Sequence, residues 1–470
     1  MVAIALDSGS PDGNSREIFA GQPLWAAFGR HPGPSGARAA AAAETPCAAA
    51  ETSPGTQAPS RPAKRLPPPE FREPEYREPE YLAAAGPGNG NSAIGVSEFH
   101  ARLVKESFAA IEARSGEVME HFYARLFAAH PEIRAMFPLG MSAQREQVFG
   151  ALAGLVQVVD DPGALASRAG RLGRDHRKFG VRDKHYDGFF AALLDAVRVF
   201  SPAAWTADTQ AAWDAAAGAV SGSMRAAAAA DAERGPPWWI GEVVRHDQRG
   251  ADLAVLTVQP DQPLHYLPGQ YLAVQVARWP RVWRNFSIAN APRSSGSLDL
   301  HVRAIPGGLV SNTLVHYLRA GDTILLGPAR GEMTMAKDSE RDLLCVAGGT
   351  GLAPIKAIIE GVAGATQSRR PAITLYVGAR TAAGLYDIRE LALLEAWYPA
   401  LKIIPVVSDD PDWAGRAGML PDVVSQDASP EGSEVFISGP AAMVTEAARV
   451  LARRVPRQHV HHDPIGAATA

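Results

Sequence analysis

Cysteine is nearly absent: of 470 residues only Cys47 and Cys345 carry a thiol. Two cysteines exclude a disulfide framework and any cysteine-rich zinc or iron–sulfur site, and such usage suits a reducing cytoplasm. An excess of one charge is missing too. Lysine and arginine total 46 against 50 acidic residues, a formal net charge of −4, so neither nucleic acid nor an anionic membrane is expected as a partner. The amino terminus MVAIALDSG lacks the basic start of a signal peptide and reaches Asp7 before any long apolar run. No apolar run attains membrane-spanning length. What remains is ample core material, 46% hydrophobic residues in a chain of the length of about three domains.

Four regions succeed one another. Residues 1–92 are rich in Ala, Pro, Gly and Ser, with PSRPAKRLPPP and a tandem REPEY at Arg72–Tyr76 and Arg77–Tyr81. Frequent proline and little to bury predict a disordered tail, either a tether or a docking peptide for an unknown partner with its tyrosines as anchors. Residues 93–235 carry helical periodicity without strand-like alternation. The first segment, SEFHARLVKESFAAIEAR, begins at a potential N-cap, Ser97, and sets Phe99, Leu103, Phe108 and Ile111 roughly on one face. GPPWW ends the helices, since Pro236 and Pro237 cannot continue one. Residues 236–338 alternate as short strands broken by Gly, Pro and Asp turns, which predicts a small antiparallel barrel. Residues 339–470 return to buried strands separated by helices, the pattern of a parallel α/β domain.

Three motifs carry chemistry. In RNFSIAN, Arg284 suits a phosphate, Phe286 offers an aromatic face, and Ser287 a hydrogen-bonding hydroxyl, although a plain strand would look the same. Some twenty residues later PGGLVSNTL reads as a glycine turn opening a helix, whose first N–H groups and Ser311 could hold a pyrophosphate. The loop GGTGLAP, Gly348–Pro354, lies between a strand and a helix, where backbone can approach a dinucleotide. Cys345, inside LLCVAGG, reads as a core residue.

The order RNFS, GGLVS, GGTGLAP and a late SGP at Ser438–Pro440 resembles the ferredoxin-reductase superfamily, and the helical region resembles bacterial haem globins. Together they resemble the flavohaemoglobins. The resemblance implies an all-α globin, an FAD barrel and an NAD(P)-binding domain, with haem b, FAD and NAD(P)H as cofactors. It places the distal tyrosine at Tyr123, the haem-packing phenylalanine at Phe137, the distal glutamine at Gln144 and the proximal ligand at His176. The span from Gln144 to His176 suffices for a helix, a loop and a second helix; His130 and His185 compete as ligands but do not share the family spacing. Flavin contacts fall on Tyr271, Arg284, Asn285, Phe286, Ser287, Gly308, Val310 and Ser311. Nicotinamide contacts fall on Gly349, Thr350, Gly351, Leu352, Ala353 and Pro354.

The implied chemistry is nitric oxide dioxygenation: hydride passes from NAD(P)H to FAD, single electrons go on to haem, and oxygen converts nitric oxide to nitrate. The sequence departs from the family at several points. Phe286 stands for a tyrosine, Ser438 for a cysteine, and Ile465 for the carboxyl-terminal aromatic that covers the flavin. A proximal tyrosine aligns with Tyr186, but its glutamate partner falls on Ala228, leaving Asp231 as a possible substitute. Two other functions stay open: a haem sensor of oxygen or nitric oxide, and a reductase of a quinone or protein.

Overall fold

The computed structural model of the chain describes residues 96–336, 339–365 and 370–463. The expected tail over residues 1–92, the boundary at 338 and Ile465 lie outside these residues.

Six helices come first: α1 (Glu98–Glu112), α2 (Ser115–Ala129), α3 (Ser142–Gln157), α4 (Pro162–His176), α5 (Asp183–Phe200) and α6 (Ala207–Ala232). Side chains start three of them. Ser97, Asp161 and Thr206 accept from the backbone N–H groups of His100, Ala164 and Thr209, satisfying donors that a helix start leaves unpaired. The core seam of α1 is Ala101, Val104, Phe108 and Ile111. Phe99, expected on that face, is 48% exposed; it lies a turn too early and rotates outward, where Arg102 covers its ring. Helices α4 and α6 meet backbone to backbone at Gly173, where a Cβ would sit 2.2 Å from the Met224 carbonyl oxygen.

The next region comprises β1 (Trp239–Gly250), β2 (Leu253–Pro260), β3 (Tyr271–Val276), β4 (Arg284–Ser287), β5 (Leu298–Arg303), the single turn α7 (Leu309–Asn312) and β6 (Thr323–Leu326). The strands pair antiparallel in the order β4-β3-β6-β1-β2-β5. A bridge between Ile288 and Leu300 joins the two outer strands and closes the barrel around Leu256, Val258, Leu272, Val274 and Leu300. The helix expected after PGG lasts one α-turn before widening into a π-turn over Thr313–Tyr317.

The last region alternates β7 (Leu343–Gly348), α8 (Leu352–Gly364), β8 (Ile373–Ala379), α9 (Ile388–Trp397), β9 (Leu401–Val407), β10 (Arg416–Ala417), α10 (Leu420–Asp427), β11 (Glu434–Ser438), α11 (Ala441–Leu451) and β12 (Val460–His461). Every pairing is parallel, in the order β10-β9-β8-β7-β11-β12. Chain direction across the sheet reverses between β7 and β11, the crevice where open α/β sheets bind ligands. All six residues of β7 are buried, because helices cover both faces. Cys345 among them is inert: burial pushes its thiol up to about 12. Among the described residues no helix is long and apolar enough to cross a membrane. The architecture is an all-α domain, an antiparallel barrel and a parallel α/β domain in that order.

Candidate functional site

His176 is the last residue of α4, and its Nδ1 lies 2.6 Å from the Leu172 carbonyl oxygen. A carbonyl can only accept, so Nδ1 carries the proton and Nε2 keeps the lone pair that a metal ligand needs. Burial lowers the imidazole pKa, favouring the neutral form. The competing histidines are engaged elsewhere. His185 Nδ1 accepts from the Arg182 N–H at 3.0 Å and caps α5, while His130 pairs with Glu132 at 3.6 Å.

Tyr123 on α2 is buried among Phe122, Phe127 and Phe137, with ring centroids 4.8, 5.5 and 5.5 Å away. Among the described residues its buried hydroxyl makes no hydrogen bond of good geometry, although the Gln144 side chain lies near enough to act on it. An unpaired buried hydroxyl costs about 1–3 kcal/mol, so this pocket suits a ligand atom that accepts a hydrogen bond. Burial raises the tyrosine pKa and keeps the donor protonated; Gln144, in the first turn of α3, counteracts only a part of that rise. Tyr186 is buried in α5 with the Arg225 guanidinium 5.1 Å over its ring. Asp231 does not serve it. Its carboxylate is taken by Arg177 and, at 3.2 and 3.3 Å, by Arg330, because two guanidiniums outcompete a neutral phenol for a buried anion.

On the barrel, the β3–β4 register sets Tyr271 opposite Ser287, Leu272 opposite Phe286 and Val274 opposite Arg284. Tyr271 and Ser287 thus stand side by side, while Phe286 packs partly on the barrel core and Asn285 is exposed. Arg284 makes no ion pair among the described residues; it donates only to the Trp283 carbonyl at 2.9 Å. A half-buried guanidinium without a carboxylate fits a phosphate. Gly307 is left-handed (φ 74°) and turns the chain into α7, where Val310 is buried and Gly308 caps the turn. Ser311 Oγ turns back onto the Ile305 N–H at 3.4 Å, so the backbone of the turn is what it presents outward.

The glycine loop between β7 and α8 comprises Gly349, Thr350 and Gly351, followed by Leu352, Ala353 and Pro354 as the helix start. A Cβ on Gly351 would lie 2.4 Å from the Ser438 carbonyl carbon, so the loop rests directly on the SGP turn. That contact leaves a backbone-lined cradle at the sheet's reversal, which fits a dinucleotide.

Two joints of opposite character hold the barrel. Towards the helices it uses charge: Arg330 reaches Asp231 and, at 3.8 Å, Asp175; Lys178 lies 5.9 Å over the Trp283 ring; and Arg281 Nε donates to the Ala135 carbonyl at 3.1 Å. Towards the α/β domain it adds apolar insertion, with Met333 inside that domain's core and Pro268 against Gly361. Polar contacts accompany it. Arg249 reaches Glu390 at 2.9 Å, and buried His301 shares a 2.7 Å hydrogen bond with the Tyr386 hydroxyl.

Burial lowers His301 to about 4, from a usual 6.5. The unfolded chain therefore takes up this proton first. Stability due to neutral His301 is complete above pH 6.5 and is lost as pH falls towards 4, by up to about 3 kcal/mol. Denaturant titrations across that range should show this loss, and His301→Gln should flatten it; an unchanged slope in the variant would refute the assignment. No local pattern announces His301, Arg330, Lys178 or Trp283 as joint residues, since each finds its partner across domains.

Fold and sites define a single-chain oxidoreductase with a globin, a flavin barrel and a nicotinamide domain. Family models agree: Globin matches residues 120–224, Oxidoreductase FAD-binding domain 241–334 and Oxidoreductase NAD-binding domain 345–449. The flavohemoprotein of Bordetella pertussis is 30% identical over 308 residues, covering 61% of this chain and 76% of that protein. The electron transfer component of the Pseudomonas putida xylene/toluene monooxygenase is 34% identical over 206 residues, 43% of this chain and 58% of that protein. Among solved structures, the Malassezia yamatoensis flavohemoglobin with bound FAD and heme superposes with a TM-score of 0.66 at 17% identity, covering 79% of this chain and all of that one. The chain belongs to the flavohaemoglobin family, whose cofactors are haem, FAD and a nicotinamide dinucleotide.

Proposed function

We propose that the protein is an NAD(P)H-dependent nitric oxide dioxygenase. The observation that carries this reading is the buried Tyr123 hydroxyl, without a well-formed hydrogen bond among the described residues, in the same helical domain as a neutral histidine whose Nε2 is left as a lone pair. When bound, the flavin divides the nicotinamide's electron pair and the haem iron provides the oxygen site. His176 would hold the iron. Phe137 would offer its ring to the macrocycle, while Tyr123 and Gln144 would present O–H and N–H donors to an oxygen substrate on which negative charge develops. Tyr186 would stand by the histidine without the glutamate that the family supplies. Arg284 and the turn at Gly308–Ser311 would hold the flavin phosphates, with Tyr271, Phe286 and Ser287 for its ring, and Gly349–Pro354 would hold the dinucleotide.

Each nitric oxide consumes one oxygen molecule and one electron to give nitrate. The test is sustained loss of nitric oxide with NAD(P)H and oxygen, with nitrate as product. A sensor would bind the gas and stop. The similarity to the xylene/toluene monooxygenase component favours a second reading, a reductase of another acceptor. In that case His176→Ala would leave turnover of the true acceptor unchanged.

NADH is the expected coenzyme. Arg380 follows β8, is exposed and has no ion pair among the described residues. Asp409 donates its N–H to the Arg380 carbonyl, and the Asp410 carboxylate accepts from the Ala382 N–H, so the segment after β8 holds a carboxylate and, among the described residues, no cluster of basic residues is gathered there for a 2′-phosphate. kcat/KM should be higher for NADH than for NADPH, and Arg380→Ala should barely change it. A preference for NADPH that disappears in that variant would refute the assignment.

A further inference from the structure

Of the residues flanking His176, Asp175 and Lys178 turn towards the barrel, to Arg330 and Trp283, while Arg177 turns to Asp231 at the end of α6. Asp231 is the centre of this arrangement. Its side chain is 6% exposed, yet it accepts from Arg177 of the proximal turn and from Arg330 of the barrel. Arg177 donates as well to the Gly235 carbonyl at 2.8 Å, which pins the chain leaving α6. Arg330 is itself fixed: its N–H donates to the Tyr271 carbonyl at 2.7 Å, and the Tyr271 N–H donates to the Arg330 carbonyl at 2.9 Å. Tyr271 is the cross-strand neighbour of Ser287. One carboxylate therefore lies between the residue next to the haem ligand and the residue bonded to the flavin strand.

We infer that Asp231 is a positioning residue that fixes the His176 turn against the flavin barrel by bridging Arg177 and Arg330. Two guanidiniums converge on one buried anion. Without it Arg177 keeps only the Gly235 carbonyl and Arg330 only the Asp175 carboxylate at 3.8 Å, and the proximal turn loses its buried tie to the barrel. This constraint takes the place of the tyrosine–glutamate pair that the chain lacks, because Asp231 acts on the backbone of the ligand's turn and not on Tyr186. The inference rests on His176 as the haem ligand.

The test uses the holoprotein, with two measurements: the iron–histidine stretching band of the ferrous haem, and the anaerobic rate at which NADH-reduced flavin reduces the haem. Asp231→Asn should keep haem, flavin and ferricyanide reduction by NADH, shift the band, and slow haem reduction about tenfold or more. Asp231→Glu should recover part of the rate. Arg330→Gln, which removes only the barrel's arm, should slow haem reduction similarly and serves if Asp231→Asn fails to fold. An unchanged band and rate in folded variants would overturn the inference alone. A parent protein without an iron–histidine band would overturn the ligand assignment with it.

Discussion

Replacing His176 by Ala should remove the haem absorbance band and leave flavin reduction by NAD(P)H intact. The expectation follows from how the other imidazoles are used. His185 spends Nδ1 on the Arg182 N–H at the start of α5, and His130 faces Glu132. Only His176 among these three combines a proton fixed on Nδ1 by a backbone carbonyl with a lowered pKa. A haem without an axial imidazole keeps its hydrophobic contacts but loses its coordinate bond and characteristic spectrum. The Arg284 and Gly351 sites belong to other domains, so anaerobic bleaching of the flavin should proceed at the parent rate. Normally coordinated haem in the variant would move the ligand to His185 or His130 and overturn the assignment.

Gly173→Ala should destabilise the helical domain more than any other single methyl added to its glycines. The new Cβ would sit 2.2 Å from the Met224 carbonyl oxygen and 2.6 Å from its Cα. The obstacle is backbone, which has no rotamer to escape into, so α4 must back away from α6 and carry His176 with it. Overpacking of this kind costs about 1–3 kcal/mol or more. With about 2–4 °C per kcal/mol for a domain of this size, the haem-monitored Tm should fall by roughly 2–12 °C. Gly218→Ala is the control: it lies in α6, where an added Cβ meets nothing within 4 Å. That change should stabilise by about 0.5–1 kcal/mol, since alanine restricts the unfolded chain more than glycine does. Equal melting of Gly173→Ala and the parent would show that the helices do not pack this closely.

Much of this arrangement is legible in the sequence where the signal is local. The β7 run LLCVAG announces a strand buried on both faces, Ser97 sits where a helix start needs an oxygen, and Pro236 and Pro237 stop the helices between α6 and β1. Residues that depend on distant partners are not legible. Asp231 is one helical turn from Ala228, so spacing alone offers it to Tyr186; only the fold reveals that Arg330, far along the chain, claims it first. Phe99 shows the same limit on a smaller scale, because a 3.6-residue period cannot say where a core begins. Ser311 and the π-turn after it show that a glycine turn predicts a helix start but not the helix's length.

The two joints of the barrel open at different cost. Where Met333 is buried in the α/β core, separation would uncover oily surface, so barrel and nicotinamide domain should travel as one body. Where Asp231, Asp175 and Arg330 meet, separation uncovers charges that water solvates readily, and salt competes for them. The chain's natural point of breathing is therefore the globin side, and rising ionic strength should loosen that side first.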